Sequence, residues 1–92
     1  MLARVKLALR ITTNAFDDEL NGLIKAALMD LGIVGIDPSS LTSGTTDELI
    51  ITAVITYVKL HFGEPADPDR LKKSYDEQKA QLITATGYGL NG

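Results

Sequence analysis

The sequence predicts a small all-α protein, a bundle of about four helices in which a short N-terminal helix precedes three longer ones. Apolar residues recur at helical spacing in several segments, helix-starting residues precede these segments, and glycine or proline follows them. The chain has 92 residues, of which 45% are hydrophobic. A chain of this size forms one domain, so we treat residues 1–92 as a single all-α unit.

The segment from Thr46 to Phe62 predicts the central helix, because it is apolar on nearly every side. It is too long for one strand, which usually runs about 4–8 residues. Thr46 or Asp47 is a suitable N-cap. Gly63 and Pro65 then end the helix. Since a segment that is apolar all round needs cover on several faces, we expect both its own chain and neighbouring copies to bury it.

Residues 2–12 are compatible with two interpretations. Apolar residues alternate along this segment as they do in a strand, but Leu2, Val5 and Leu9 also form a helical stripe. Leu, Ala, Arg and Lys dominate the composition, and these residues favour a helix. We predict a short helix that ends near Leu9.

The second helix has the clearest pattern, with apolar residues at helical spacing from Phe16 to Leu31. Asn14 is the expected N-cap, and Gly32 is expected to end the helix in a left-handed conformation. The first turn carries three adjacent acidic residues: Asp17, Asp18 and Glu19. Consecutive helical side chains point in different directions, so these acids indicate a favourable contact with the helix dipole, not a metal or catalytic site.

Residues 33–45 predict a long loop between the second and third helices, because they are rich in Gly, Pro and Ser. Its apolar members, among them Ile36 and Leu41, need cover. Two interpretations stay open: these side chains pack back on their own chain, or a neighbouring subunit docks on them.

The last helix is predicted to begin with Asp67 as N-cap and Pro68 in the first turn, and to continue to about Thr84. Its apolar stripe is narrow, which suits a helix packed along one seam. Residues 86–92 predict a flexible C-terminal tail that carries two apolar anchors, Tyr88 and Leu90.

The residue inventory argues against catalysis and cofactor binding. The chain has no cysteine, and His61 is its only histidine, so disulfides, thiolate metal sites and histidine clusters are excluded within one chain. No Gly-rich phosphate loop and no nucleophile motif is present. We therefore expect a protein that is not an enzyme and binds no metal or cofactor.

The chain also lacks the signals of export and membrane insertion. The first residues have no uninterrupted apolar core, as a signal peptide would. The central segment is too short to span a bilayer, and Lys59 and His61 interrupt it. We expect a soluble protein made in the cytoplasm.

Charge is segregated along the chain, whose net charge is −3. Residues 1–13 carry no acid, residues 14–69 carry ten acids against two bases, and residues 70–92 have an excess of bases. One interpretation is that all these charges are simply solvated at the surface and that the three ranges differ in net charge without a functional reason. The other is that the ends of one copy contact the acidic middle of the next. The second interpretation involves the bases Arg4, Lys6, Arg10, Arg70, Lys72 and Lys73 and the acids Asp17, Asp18 and Glu19.

Four segments, in order along the chain, carry a family resemblance: LRI at 9–11, DDEL at 17–20, ITAVITYVKLHFGEP at 51–65, and residues 69–88. Together they resemble the head–tail connector family of long-tailed bacteriophages and prophages. The resemblance covers nearly the whole chain, and its specificity comes from the combination of segments. The chain departs from many members in its long loop at 33–45.

The resemblance implies a structural protein that forms a ring of about a dozen copies beneath the portal protein. Such a ring extends the channel through which DNA passes without sequence-specific binding. It also provides the platform for the next connector, a stopper or a tail-completion protein. The implied location is the virion head–tail junction, and the host bacterial cytoplasm during assembly.

Two alternatives come from other classes of protein. One is a small DNA-binding module associated with DNA packaging, which needs a basic recognition helix that neither well-defined internal helix supplies. The other is an unrelated dimeric helical interaction protein. An enzyme is the least supported interpretation, because no motif points to a reaction.

Overall fold

The computed structural model describes residues 1–33, 44–45 and 47–84. These residues form four helices in the order α1 (Leu2–Leu9), α2 (Asp17–Ile33), α3 (Glu48–His61) and α4 (Pro68–Thr84). None of the described residues lies in a strand, so the all-α prediction is confirmed.

Two predicted segments fall mainly outside this part of the chain. The predicted loop at 33–45 is described only at Ile33, which belongs to α2, and at 44–45. The predicted tail at 86–92 lies wholly outside the described residues. The predicted contact residues in these two segments also lie outside the described residues: Ile36, Leu41, Tyr88 and Leu90.

α1 ends at Leu9, as predicted, and the next residue turns the chain. Arg10 adopts a left-handed conformation with φ 59° and ψ 40°. Its backbone N–H donates to the carbonyl of Leu7 at 3.2 Å, and the N–H of Ile11 donates to the carbonyl of Lys6 at 2.9 Å. This pair of bonds is a Schellman motif, in which glycine is the usual left-handed residue.

α2 differs from its prediction at both ends. Asn14 does not act as the N-cap: its side-chain Oδ1 accepts a hydrogen bond from Lys6 Nζ at 2.9 Å, so the ammonium group engages the oxygen predicted to cap the helix. The helix begins at Asp17, and the N–H of Leu20 donates to the carbonyl of Phe16 at 2.9 Å. Gly32 lies inside α2, since a helix tolerates a glycine near its end without a left-handed turn.

α3 begins with a side-chain cap. Asp47, one of the two predicted N-caps, accepts hydrogen bonds at Oδ1 from the N–H groups of Leu49 at 3.0 Å and Ile50 at 3.4 Å. At the other end Phe62 is extended, and Gly63 follows with a positive φ of 66°. A residue with a Cβ is strained in that conformation, which explains the glycine.

α3 is the centre of the core, as predicted, and it packs against α1, α2 and α4. Among the side chains whose burial is described, it contributes more buried apolar ones than any other helix, although Leu49 near its start is 40% exposed. The buried apolar side chains of this described set are Val5 of α1, Leu20, Ile24, Ala27 and Leu31 of α2, Ile50, Ile51, Ala53, Val54 and Val58 of α3, and Tyr75 and Leu82 of α4.

α4 follows its prediction closely. Asp67 Oδ1 accepts a hydrogen bond from the N–H of Arg70 at 3.1 Å, and Pro68 occupies the first helical position. Only Tyr75 and Leu82 are buried among the described side chains of this helix. The seam against α3 is narrow: Leu71, Ser74, Gln78 and Lys79 are half-buried beside it, and the other described residues of α4 are exposed.

Candidate assembly surface

Arg4 attaches α1 to the start of α3. Its guanidinium donates two parallel hydrogen bonds to Glu48, from Nη1 to Oε1 and from Nη2 to Oε2, each at 2.8 Å. Both side chains are well exposed, so solvent screens the pair and its main effect is geometric. The two hydrogen bonds favour the charged carboxylate and hold the pKa of Glu48 below its ordinary value.

Replacing Arg4 with glutamine is expected to raise the pKa of Glu48 toward the ordinary glutamate value of about 4.3. A depressed pKa contributes stability above the unfolded value, and this contribution is lost as pH falls through the folded value. An NMR titration of the Glu48 side-chain carboxyl measures the change. The matched control is Arg10→Gln, which leaves Glu48 unchanged. An identical titration of Glu48 in the Arg4 variant would show that the contact does not persist in solution.

Lys6 attaches α1 to the start of α2. Its ammonium group lies 2.8 Å from Asp17 Oδ1, and it also donates to Asn14 Oδ1. Asp17 Oδ1 is buried under that ammonium group, which is its charge partner. The sequence placed Lys6 and Asp17 on opposite sides of a contact between copies, and the structure brings them together within one chain.

Three of the predicted contact residues are left without an ion pair to another described residue. Arg10 is exposed after α1, and Asp18 and Glu19 are exposed in the first turn of α2. These residues therefore retain the complementary charges that the sequence analysis expected at a contact between copies. That pairing stays a prediction.

The predicted basic residues of α4 are also exposed and make no ion pair with the described chain. Acids lie before and after them on the same helix, within one turn of a base, so α4 presents mixed charge and not a basic face. The exposed charged residues of this helix are Asp69, Arg70, Lys72, Lys73, Asp76 and Glu77.

Two large apolar side chains stand out at the surface, Leu7 at 75% and Met29 at 69% exposure. Leu7 lies two residues from Val5, which is fully buried, so the two side chains point in nearly opposite directions from α1. The sequence analysis did not single out Leu7 or Met29. The signal for Leu7 was its place outside the helical stripe that Val5 and Leu9 define.

A second polar cluster joins α2 to α4. The hydroxyl of Tyr75 donates to Asp30 Oδ2 at 2.6 Å, and Lys79 Nζ donates to the same oxygen at 3.3 Å. Burial raises the pKa of Tyr75, and the bond to Asp30 raises it further. No sequence signal could have found this cluster, because Asp30 and Tyr75 are 45 residues apart.

The described part of the chain has no grouping of metal ligands. No set of three His, Asp or Glu side chains in it could hold a metal ion. Within residues 1–33, 44–45 and 47–84, no helix has the length and apolar character needed to cross a membrane. What these residues do present is unpaired charge and exposed apolar surface.

Comparison with known proteins identifies the family. The model of a family described as phage connector protein matches residues 1–89, a range that includes all four helices. No match was found among curated proteins or among solved structures. Phage connectors are structural proteins of the virion head–tail junction. The chain belongs to the phage connector family.

Proposed function

We propose that the protein assembles into a ring of about a dozen copies beneath the portal, where it extends the DNA channel and carries the next connector, a stopper or a tail-completion protein. The observation that carries this proposal is the family match over residues 1–89. Exposed Leu7 and Met29 support self-association, as do the exposed charges of Arg10, Asp18 and Glu19, which make no ion pair with the described chain.

The charge distribution supports a channel that lets DNA slide. Phosphate contacts to clustered Lys and Arg side chains hold a duplex, and their number sets the salt dependence of binding. On α4 the exposed bases Arg70, Lys72 and Lys73 lie between acids, with Asp69 before them and Asp76 and Glu77 about one turn after them. A DNA-binding module requires a continuous basic face, which α4 does not present.

The test is deletion of the gene from the phage or prophage that encodes it. We expect genomes packaged to full length, together with tails that fail to join the heads. The wild-type chain supplied in trans is expected to restore joining, whereas the double variant Asp18→Lys, Glu19→Lys is not, although its helical circular dichroism is unchanged.

The matched control for this double variant is Glu64→Lys, Glu77→Lys, which makes the same change in net charge at exposed acids outside α2. Tailed, infectious particles without the gene would contradict the connector function. Failure to package DNA at all would favour a packaging-associated DNA-binding module.

A further inference from the structure

We propose that the outward faces of α1 and α2 form the two halves of one contact between copies, in which α1 of one copy packs antiparallel on α2 of the next, with Leu7 over Gly22. The inference deepens the proposed function, because it names the surfaces through which the ring would close. The occupant of each face is a second copy of this chain.

The first half of the contact is the outer face of α1. Leu7 is its centre, with Ala3 exposed one turn before it and Arg10 exposed nearly one turn after it. A single exposed leucine is common on protein surfaces. Here, however, the contacts of Arg4 and Lys6 on either side fix the helix with Leu7 pointing away from the core.

The second half is the outer face of α2, with Gly22 near the middle of a 17-residue helix. Glycine in a helix interior is destabilising relative to alanine. Apart from its sequence neighbours and the local helix backbone, a Cβ added at Gly22 would lie within 4 Å of no atom of the described chain, so the packing of these residues does not require a glycine here. A glycine here would instead allow the backbone of another helix to approach α2 closely.

Helical spacing then matches the two faces. At 1.5 Å rise per residue, Arg10 lies about 4.5 Å beyond Leu7, and Asp18 and Glu19 lie about 6 and 4.5 Å before Gly22. Antiparallel packing therefore places Arg10 beside two acids.

The same alignment brings Ala3 opposite Ala26, because each lies four residues from the central pair. Small side chains at this position allow the two helices to approach closely.

The charges also select the direction. A parallel arrangement with Leu7 over Gly22 would place Arg10 beside Lys25, which is exposed three residues after Gly22. Like charges in contact disfavour that arrangement. In the antiparallel arrangement Lys25 lies level with Arg4, whose charge is already paired with Glu48. Arg10, which makes no ion pair with the described chain, therefore decides the direction. The two faces differ from each other, so the contact is heterologous, and repeated contacts of this type close into a ring when the rotation per subunit allows it.

The experiment uses the absence of cysteine from the chain. Ala3→Cys and Ala26→Cys are prepared separately and mixed at roughly millimolar concentration under oxidising conditions, since weak contacts are populated there. We expect a disulfide-linked dimer in the mixture at about tenfold the yield of either variant alone. The matched control mixture pairs Ala3→Cys with Ala80→Cys, an exposed alanine of α4. The double variant Ala3→Cys, Ala26→Cys is expected to give a ladder of larger oligomers.

Leu7→Glu in the Ala3→Cys background is expected to reduce the yield to that of the control mixture without loss of helical circular dichroism, because Leu7 is exposed in the single copy. A yield in the Ala3–Ala26 mixture no higher than in the control overturns the contact. If sedimentation then still shows association of the copies, the proposed ring stands but forms through other surfaces. Conversely, a specific cross-link together with tailed particles in the gene-deletion strain would leave the contact standing and remove the connector function.

Discussion

Replacing Ile50 with alanine is expected to lower the free energy of unfolding by about 2–5 kcal/mol. Ile50 is fully buried in α3, the helix that packs against the other three. Truncation removes apolar area from the core and leaves a cavity that the surrounding helices fill only in part. Since small domains have about 0.05–0.15 kcal/mol of stability per residue, this loss is a large fraction of the total.

The measurement is urea denaturation, in which a lower midpoint with an unchanged slope reports lost stability. The matched control is the adjacent Leu49→Ala, whose side chain is 40% exposed and whose truncation should have a much smaller effect. Equal midpoints for the two variants would mean that α3 does not present Ile50 to the core.

Replacing Tyr75 with phenylalanine is expected to destabilise the fold by about 1.5–3 kcal/mol, the range for hydrogen bonds to charged groups. The change removes the hydroxyl that donates to Asp30 and keeps the buried ring. The side chain of Asp30 is 34% exposed, so water partly replaces the lost bond and the lower end of the range applies.

The control is Tyr57→Phe, because the Tyr57 ring packs against Tyr75 but its hydroxyl makes no hydrogen bond within the described chain. Chemical denaturation compares the two variants with the parent protein. If both variants lose the same stability, the bond between α2 and α4 has no net effect.

The same variant makes a prediction in alkaline solution. In the unfolded chain a tyrosine loses its proton near pH 10, whereas the folded protein holds the raised pKa of Tyr75 above that value. This contribution to stability is complete below about pH 10 and is lost as pH rises toward the folded pKa. Stability above pH 10 should therefore fall less steeply in Tyr75→Phe than in the parent.

The helices could be predicted because their signals are local. Asp47 and Asp67 each cap a helix that starts at the next residue, and the hydrogen bonds involved span two or three positions. The wrong N-cap of α2 shows where local signals fail. Asn14 has a local propensity to cap, but a lysine from a different helix engages its side chain, and only the tertiary structure reveals that contact.

The charged surface was harder to predict. The sequence identifies which residues carry charge, yet Arg4 and its partner Glu48 are 44 positions apart. No sequence periodicity relates residues at that distance. For the same reason, the sequence could not show that Lys6 and Asp17, which were expected to meet across copies, pair within one chain. The sequence predicts the segregation of charge, whereas the structure shows which charged side chains form ion pairs within the chain.

The attachment of α1 at Arg4, Val5 and Lys6 has a consequence for the rate at which copies would associate. A helix that is already ordered in the free subunit does not have to lose conformational entropy when a partner arrives. Encounter then needs only diffusion and orientation, without a preceding conformational step that would slow it. The Arg4–Glu48 pair is exposed, so salt beyond the physiological level of about 0.15 M would weaken it. α1 would then be less ordered in the free subunit, and part of its ordering would have to take place during association.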